Sequence, residues 1–450
     1  MIDFLKNVFQ ENAERDAIVW RENTYCYKDL LGRLDSLGRF LEANGIKEGA
    51  VVAVEADFSP NAIALLLALI EKRCIIVPLA NAVADQNPAF MEIAQVGVSL
   101  KLVENDEVQL ARTGRKATHE LYVRLVELRH PGLVLFSSGS TGKSKAAVHD
   151  LLGVLNKFKV RRHARRAIAF LLYDHIGGLN TMLYQLSNGG CIVTVPDRGP
   201  DTVLRAIQQH RVDMLPTSPT FLNLILLSEA HTRFDLSSLK LVTYGTEPMP
   251  EYTLRRFHEV FPGVQLQQTY GLSEIGILRS KSLASDSLWV KIGGEGFETR
   301  VVEGLLEVKA ESAMLGYLNA PSPFTQDGWF KTGDAVQTNG EWMRILGRRS
   351  EIINVGGEKV YHAEVESVLQ EIEGVEEASV TGEPNAITGN IVTATVRLGT
   401  DEAISAFRKR MWEHCANRLP RYKIPQKLVL TKASLASVRF KRAHRVTAGE

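Results

Sequence analysis

Cysteine is scarce in this chain. The four residues, Cys26, Cys74, Cys191 and Cys415, stand far apart among 450 and form no C-x-x-C pair. That argues against a disulfide framework and against a zinc site, and it suits a reducing cytosol. Net charge is almost absent as well: 53 Lys and Arg balance 52 Asp and Glu. No global field therefore draws the protein to nucleic acid or to a membrane surface, and any polyanion site must be local. Long apolar runs are missing too; the longest, AIALLLALI at residues 62 to 70, is about half of what a bilayer span needs. The opening MIDFLKNVFQENAERDAI alternates charge and bulk like an amphipathic helix, without the basic start, apolar core and small-residue cleavage site of a signal peptide. The expectation is a soluble cytoplasmic protein. Internal repeats and low-complexity tracts are also lacking.

What is present is a layered pattern. A chain of 450 residues holds two or three domains of roughly 150 residues each. Helix-like segments precede β-rich runs again and again: YKDLLGRLDSLGRFLEANG before AVVAVEA, NAIALLLALIEKR before CIIVPL, TVLRAIQQHR before VDMLPTS. Such alternation implies an α/β class with a largely parallel sheet, expected here as a large layered domain over residues 1–346. Glycine and charge then interrupt the β-rich ILGRRSEIINVGGEKV, which places a hinge at 347–350. Residues 351–450 read as a small α+β domain. It comprises a helix with Val365, Val368, Leu369 and Ile372 on its apolar face, the strand runs EASVTG and NIVTATVRLG, and a helix in DEAISAFRKRMWEHCANRL.

The chemistry centres on GLVLFSSGSTGKSKAAVHD, residues 132 to 150. Its SGSTGKS comes within one residue of the Walker pattern G-x-x-x-x-G-K-[ST], Ser137 standing where the first glycine belongs. IAFLLYD, ending in Asp174, mimics the matching magnesium-binding strand. A Walker loop would set Lys143 on the first turn of a helix whose N–H groups hold phosphates. The alternative is a hairpin of Ser, Thr and Gly whose backbone N–H groups and hydroxyls wrap a polyphosphate, with Lys145 after the turn neutralising charge. Locally both remain open, because KAAVHDLLGVLNKFK suits either a helix or a short β run.

Four distant motifs choose between them. YGTEPMP (244 to 250), QTYGLSEIGIL (268 to 278), WFKTGDAV (329 to 336) and GRRSEIINVGGEKVYHAEVE (347 to 366) follow the loop in order. Together they resemble the adenylate-forming superfamily of acyl-CoA synthetases, adenylation domains and luciferases, from the first helix to the C-terminus. The family loop reads like S-G-T-T-G-x-P-K-G, so Lys145 matches its lysine, while Ser144 and Ala146 replace the usual proline and glycine.

The resemblance implies that a carboxylate attacks the α-phosphorus of magnesium-ATP, after which a mobile C-terminal domain rotates and a thiol takes the acyl group. It implies further that Ser137, Ser138, Gly139, Ser140, Thr141, Gly142 and Lys145 cradle the β- and γ-phosphates. Gly245, Thr246, Glu247 and Pro248 would lie along adenine. In TYGLSE, with Thr269 and Gly271 as its backbone frame, Tyr270 would stack near adenine, Ser273 would donate to the α-phosphate and Glu274 would hold magnesium, a hard cation that takes oxygen ligands. Asp334 resembles the carboxylate that accepts both ribose hydroxyls, with Arg348 beside it. Two residues after that arginine, where family hinges often carry Asp or Lys, stands Ser350. Gly356 and Gly357 would line the pantetheine tunnel in the second conformation, since glycine lets a backbone approach a ligand closely.

His175 resembles the family's gate between the loop and the acid pocket, and on that reading Asp174 is not a Walker B residue. Ile176 stands where amino-acid-activating relatives carry an aspartate for the substrate ammonium, which disfavours an α-amino acid. Residues Asp174 to Asn180, Thr217 to Leu222 and Tyr244 to Thr246 are expected to form a pocket for an uncharged aryl or medium acyl body. The usual ending P-K-T-x-x-G-K-x-x-R is absent; LTKASLASVRFKRAHR replaces it. Lys441 is the first candidate for the C-terminal catalytic lysine and Lys432 the second, with an alignment on Ala436 or Ser437 as a further possibility. KFKVRRHARR (157 to 166) is expected to be a solvated helix face rather than a site for the 3′-phosphate of CoA.

The leading expectation is an ATP- and Mg2+-dependent acid–thiol ligase acting on CoA. Loading of a separate carrier protein's phosphopantetheine is its close rival. A P-loop ATPase and a degenerate, non-catalytic nucleotide-binding protein are the more distant readings. A homodimer is the default expectation for a soluble enzyme.

Overall fold

The computed structural model describes residues 1–138, 144–437 and 441. Two seven-stranded sheets organise the first part of the chain. In one, Val51–Ala56 runs parallel to Ile75–Ala80 and to Val98–Leu102, and Ile75–Ala80 runs parallel to Gly132–Ser138. In the other, Asp16–Trp20, Cys191–Val193, Arg166–Ile168, Met214–Thr217, Leu241–Tyr244 and Gln265–Gln268 are consecutive parallel neighbours. The helix-then-strand order dictates this, because a parallel pair needs a crossover and the crossovers here are the helices.

The helix Pro60–Glu71 explains the apolar run. Ser59 caps it by accepting from the amide of Ala62 at 3.0 Å, and Pro60 opens its first turn. Every residue from Ala62 to Ile70 is buried, because this helix and Ile176–Ser187 pack in one core between the two sheets. A helix buried on all sides has no polar stripe. Further helices cover the outer faces, Pro200–His210, Pro219–Ser228 and Glu251–Val260 on the second sheet and Asn87–Ile93 and Glu120–Leu128 on the first. No helix of the described residues is long and apolar enough to cross a membrane.

The alternation does not continue to the end of the large domain. From Ser280 to Arg348 the described chain forms a six-stranded antiparallel sheet, with no α-helix between Glu251–Val260 and His362–Gln370. Tight turns cause this. Between Val302 and Leu305, which pair, stand Glu303 at φ 52° and Gly304 at φ 75°, the two left-handed residues of a two-residue hairpin turn.

A separate core holds the C-terminal unit. Val365 and Leu369 from His362–Gln370 meet Phe407 and Met411 from Ile404–Ala416. The helices lie on a sheet of Val375–Asn385, Gly389–Leu398 and shorter strands. Ile372 is buried with them although it lies beyond the helix end. An unanticipated strand, Lys427–Thr431, joins parallel to Gly389–Leu398. Gly356 at φ 61° and Gly357 at φ 92° make the two-residue turn between paired Val355 and Glu358.

Polar contacts join this unit to the large one, among them an ion pair of Arg255 with Glu371 at 3.5 Å. Ser367 Oγ accepts from the Tyr252 amide at 2.9 Å, Thr253 Oγ1 donates to Gln370 Oε1 at 3.3 Å, and Asn223 Nδ2 donates to the Glu376 carbonyl at 3.1 Å.

The basic run is not a helix face. Only Asn156–Phe158 forms a short 3-10 turn, and the chain is irregular until the strand Arg166–Ile168. Three of its arginines are committed to ion pairs: Arg161 with Glu11 at 2.7 Å, Arg165 with Asp213 at 3.4 Å and Arg166 with Asp16 at 2.8 Å.

Candidate active site

The segment after the loop decides which phosphate loop this is. Ser144–Asp150 is a strand that returns antiparallel along Gly132–Ser138, with Lys145 opposite Ser137 and Ser144 opposite Ser138. The helix Leu151–Leu155 starts only after Asp150. The residues that follow Lys143 therefore form a strand where a Walker loop would continue into a helix. Gly139, Ser140, Thr141 and Gly142, with Lys143, lie outside the described residues. Asp174 ends no strand; it lies in the irregular stretch before Ile176–Ser187.

Two residues invisible in the motifs brace the hairpin stem. Asn319 accepts from the Ala146 amide at 3.0 Å and donates to the Ser144 carbonyl at 2.9 Å, so it grips the strand on both sides of Lys145. Tyr317 lies with its ring 5.4 Å from the Lys145 ammonium and donates its hydroxyl to Glu274 Oε1 at 2.8 Å. Ser137 donates to the same oxygen at 3.1 Å. Burial, then the Glu274 charge, raises the Tyr317 hydroxyl above its ordinary value and keeps it a donor.

Behind them His149 is fully buried, its Nε2 2.6 Å from the Ser273 carbonyl and its Nδ1 3.2 Å from that of Ser312. Burial holds this imidazole below its usual range, and a neutral ring donates from one nitrogen. The shorter contact takes that proton at Nε2.

On the nucleoside side, Tyr270 donates to Asp334 Oδ2 at 2.5 Å, and Arg348 Nε lies 3.4 Å from Oδ1. The two residues sit in register on adjacent strands, Asp334 opposite Arg348. Burial raises the Asp334 carboxyl above its ordinary value, with Arg348 acting against that shift. Glu247 accepts from both the amide and the hydroxyl of Thr220, at 2.8 and 2.5 Å. Thr246 has φ 74°, an outlier for a β-branched residue and of the kind that collects at ligand sites. A Cβ on Gly245 would come within 2.6 Å of Thr269 Oγ1, and one on Gly271 within 2.5 Å of the Gly276 carbonyl. Both glycines are needed because backbones meet there.

These groups face one cleft of about 1520 Å³. Lys145, Glu274, Asp334 and Arg348 line it, as do Ser273 and Pro248. His175 caps the helix Ile176–Ser187 by accepting from the Gly177 amide at 3.0 Å and also reaches the wall. Of the expected pocket residues, Ile176, Gly177, Asn180 and Thr217 line the cleft, whereas Phe221 and Leu222 turn into the core beneath the second sheet.

Lys441 lies on the cleft wall beside Ser437, to which it is tied by bonds of 2.8 and 3.2 Å. Lys432 is elsewhere, exposed and paired with Asp401 at 3.0 Å. A buried carboxylate missed in the sequence anchors this segment: Glu377 accepts from the Leu435 amide at 2.7 Å and from Ser434, and it pairs with Arg397. Gly356 and Gly357 occupy an exposed turn with open space around each.

Comparison with known proteins agrees with this geometry. The family model described as AMP-binding enzyme matches residues 5–303, and that of the AMP-binding enzyme C-terminal domain matches 364–439. The chain is 27% identical to an indoleacetate–CoA ligase of Aromatoleum aromaticum, over 94% of each chain. It is also 27% identical to a 2-succinylbenzoate–CoA ligase of Bacillus pumilus, over 92% of this chain and 90% of that one. The crystal structure of an anthranilate CoA ligase in complex with anthranoyl-AMP superposes with a TM-score of 0.82 at 19% identity, covering 98% of this chain and 95% of that one. With a hairpin where a Walker helix would stand, a buried Tyr270–Asp334 pair, and a family model spanning most of the chain, this protein belongs to the AMP-binding enzymes of the adenylate-forming superfamily.

Proposed function

We propose that this protein activates an aryl or acyl carboxylic acid with ATP and transfers the acyl group to the thiol of CoA. The observation that carries this is the convergence of Lys145, Glu274, Asp334 and Lys441 on one cleft. The indoleacetate and 2-succinylbenzoate ligases that it is similar to lend support for an aryl acid.

In the first half-reaction a carboxylate oxygen bonds to the α-phosphorus while the bond from that phosphorus to the bridging oxygen breaks, and pyrophosphate leaves with the electron pair. Catalysis of this kind is positioning plus charge stabilisation. Lys145 neutralises the departing polyphosphate, Asp334 accepts the ribose hydroxyls, Tyr270 orients Asp334, and Lys441 approaches the α-phosphate from the C-terminal unit. Glu274 is the residue to hold Mg2+. One carboxylate fits such an ion, which takes its other ligands from phosphates and water, and no three-residue metal cluster occurs among the described residues. When bound, the ion would neutralise phosphate charge.

In the second half-reaction a thiolate attacks the acyl carbonyl and AMP leaves. Gly356 and Gly357 would meet the pantetheine after the C-terminal unit turns about residues 347–350. An α-amino acid is disfavoured, since Ile176 offers no partner to an ammonium.

Acid-dependent ATP–pyrophosphate exchange tests the assignment, run without CoA against aryl acids and short-, medium- and long-chain acids with amino acids as controls. Exchange with one acid class, followed by thioester formation on adding CoA, is the expected result. Formation of ADP in place of AMP would overturn it, and thioester formation on a phosphopantetheinylated carrier but not on CoA would change the acceptor.

A further inference from the structure

We infer that Lys157 recognises a second, anionic group on the acid substrate, remote from the carboxylate that is adenylated; this rests on the ligase reading of the cleft. The cleft continues away from Thr246 and Ser273, between the helix Ile176–Ser187 and the ends of the second sheet. Lys157 forms part of that wall, at the centre of the short turn Asn156–Phe158.

Its ammonium donates to the Ile277 carbonyl at 2.8 Å. An ammonium has three donors, and this carbonyl is their one hydrogen-bond acceptor among the described residues. No carboxylate lies within ion-pair distance of Lys157 among those residues either. Two charges that act on it, Arg279 and Arg162, are positive and also line the cleft. Arg279 is balanced by Glu295 at 3.0 Å; Arg162 is exposed. Burial, then these two guanidinium groups, pushes the Lys157 ammonium down to about 7.

A buried cation costs free energy unless an anion pairs with it. Here the protein supplies a carbonyl dipole, the Phe158 ring 5.0 Å from the ammonium, and further positive charge, and the half-buried side chain lines the cleft. An anionic substituent on the bound acid would complete the pair. Lys157 and Asn180 also border a small apolar recess of about 20 Å³ walled by Leu66, Ile70 and Leu183. The uncharged body expected from the sequence gives way to an acid with a charged far end.

Lys157 is a specificity residue on this inference, and its ordinary alternative is a tie that merely holds the Ile277 carbonyl. The test compares pyrophosphate exchange for aryl and alkyl monoacids, each paired with the same acid carrying a second carboxylate at its far end. Wild-type protein should prefer the diacid by about tenfold or more in kcat/KM, the scale of one charge-assisted contact. Lys157→Met should collapse that preference through the KM of the diacid, and Lys157→Arg should retain part of it. A wild-type preference for monoacids, or an unchanged ratio in Lys157→Met with its thermal melt intact, would overturn the inference and leave the ligase reading standing. Calorimetric titration of the diacids without ATP covers the opposite case. If no acid supports exchange, the ligase reading fails, while diacid binding that weakens in Lys157→Met and partly returns in Lys157→Arg still supports the anion contact; absence of diacid binding to wild-type protein overturns it.

Discussion

The Nε2 atom of His149 lies 2.6 Å from the carbonyl oxygen of Ser273, and so joins the phosphate hairpin to the segment that carries Glu274. Removing it leaves a buried carbonyl unsatisfied, which costs about 1–3 kcal/mol. His149→Ala should lower Tm and reduce exchange activity through kcat, because Ser273 and Glu274 lose their brace. Unchanged kcat in a folded variant would assign His149 to packing alone.

The same residue predicts an acid lability. Its folded value lies below the ordinary 6.5, through burial, so the unfolded state binds more protons near that pH. The stability contribution of a neutral His149 is present above about 6.5 and is lost as pH falls below that value toward the lower folded one. Denaturant unfolding of wild type should weaken between pH 7.5 and 5.5, and His149→Gln should show a shallower decline. Equal slopes for the two proteins would refute this.

Asp334 has the opposite sign. Burial raises its carboxyl above the ordinary 3.8, so its contribution is greatest at pH below that value and declines as pH rises through the folded one. Asp334→Asn should therefore raise the Tm of the nucleotide-free protein at pH 7.5, with the gain shrinking toward pH 4, while ATP binding weakens by tenfold or more. Calorimetry at several pH values and titration with ATP read the two effects separately. A lower Tm at pH 7.5 would show that the bond from Tyr270 outweighs the cost of burial.

Lys441→Ala should depress pyrophosphate exchange by at least about a hundredfold, the scale of a contact made in the transition state, while thioester formation from supplied acyl-adenylate survives. Lys432→Ala should leave exchange unchanged, since that residue is exposed beside Asp401. Glu377→Ala should act like a weaker Lys441→Ala, because Glu377 anchors Ser434 and Leu435. A larger loss with Lys432→Ala than with Lys441→Ala would reverse the assignment.

Replacing Arg161, Arg165 and Arg166 by glutamine should leave KM for CoA unchanged. Each is held in an ion pair with Glu11, Asp213 or Asp16, and such partly exposed pairs contribute about 0–1 kcal/mol apiece. A small fall in Tm is the expected signature. A raised KM for CoA would restore the run as a binding surface.

Much of the fold was legible because its signals are local. The spacing of Leu30, Leu34, Leu37 and Leu41 marks one helix face whatever surrounds it, and those residues are buried in Tyr27–Ala43. The antiparallel sheet from Ser280 to Arg348 was not anticipated: two-residue turns join Val302 to Leu305 and Asn339 to Trp342, but the assembly of the hairpins into one sheet rests on distant pairs such as Val290 with Met343. The site divides in the same way. Ser137, Glu274 and Asp334 stand in motifs, whereas Asn319, Tyr317, His149 and Glu377 act through contacts with residues 43 to 173 positions away.

The order of the motifs by itself determined the family and the nucleotide chemistry, because backbone turns and phosphate-facing residues must recur at set places along the chain. Only the tertiary structure decided that the segment after the Ser/Gly loop is a strand and not a helix, since Ser144–Asp150 pairs with Gly132–Ser138 and Gly316–Tyr317. It likewise brought Lys441 to the cleft and set Lys157 on its wall beside Ile277. Helix propensity is carried within a few residues, but strand pairing and the company of a buried charge depend on residues far off in the chain.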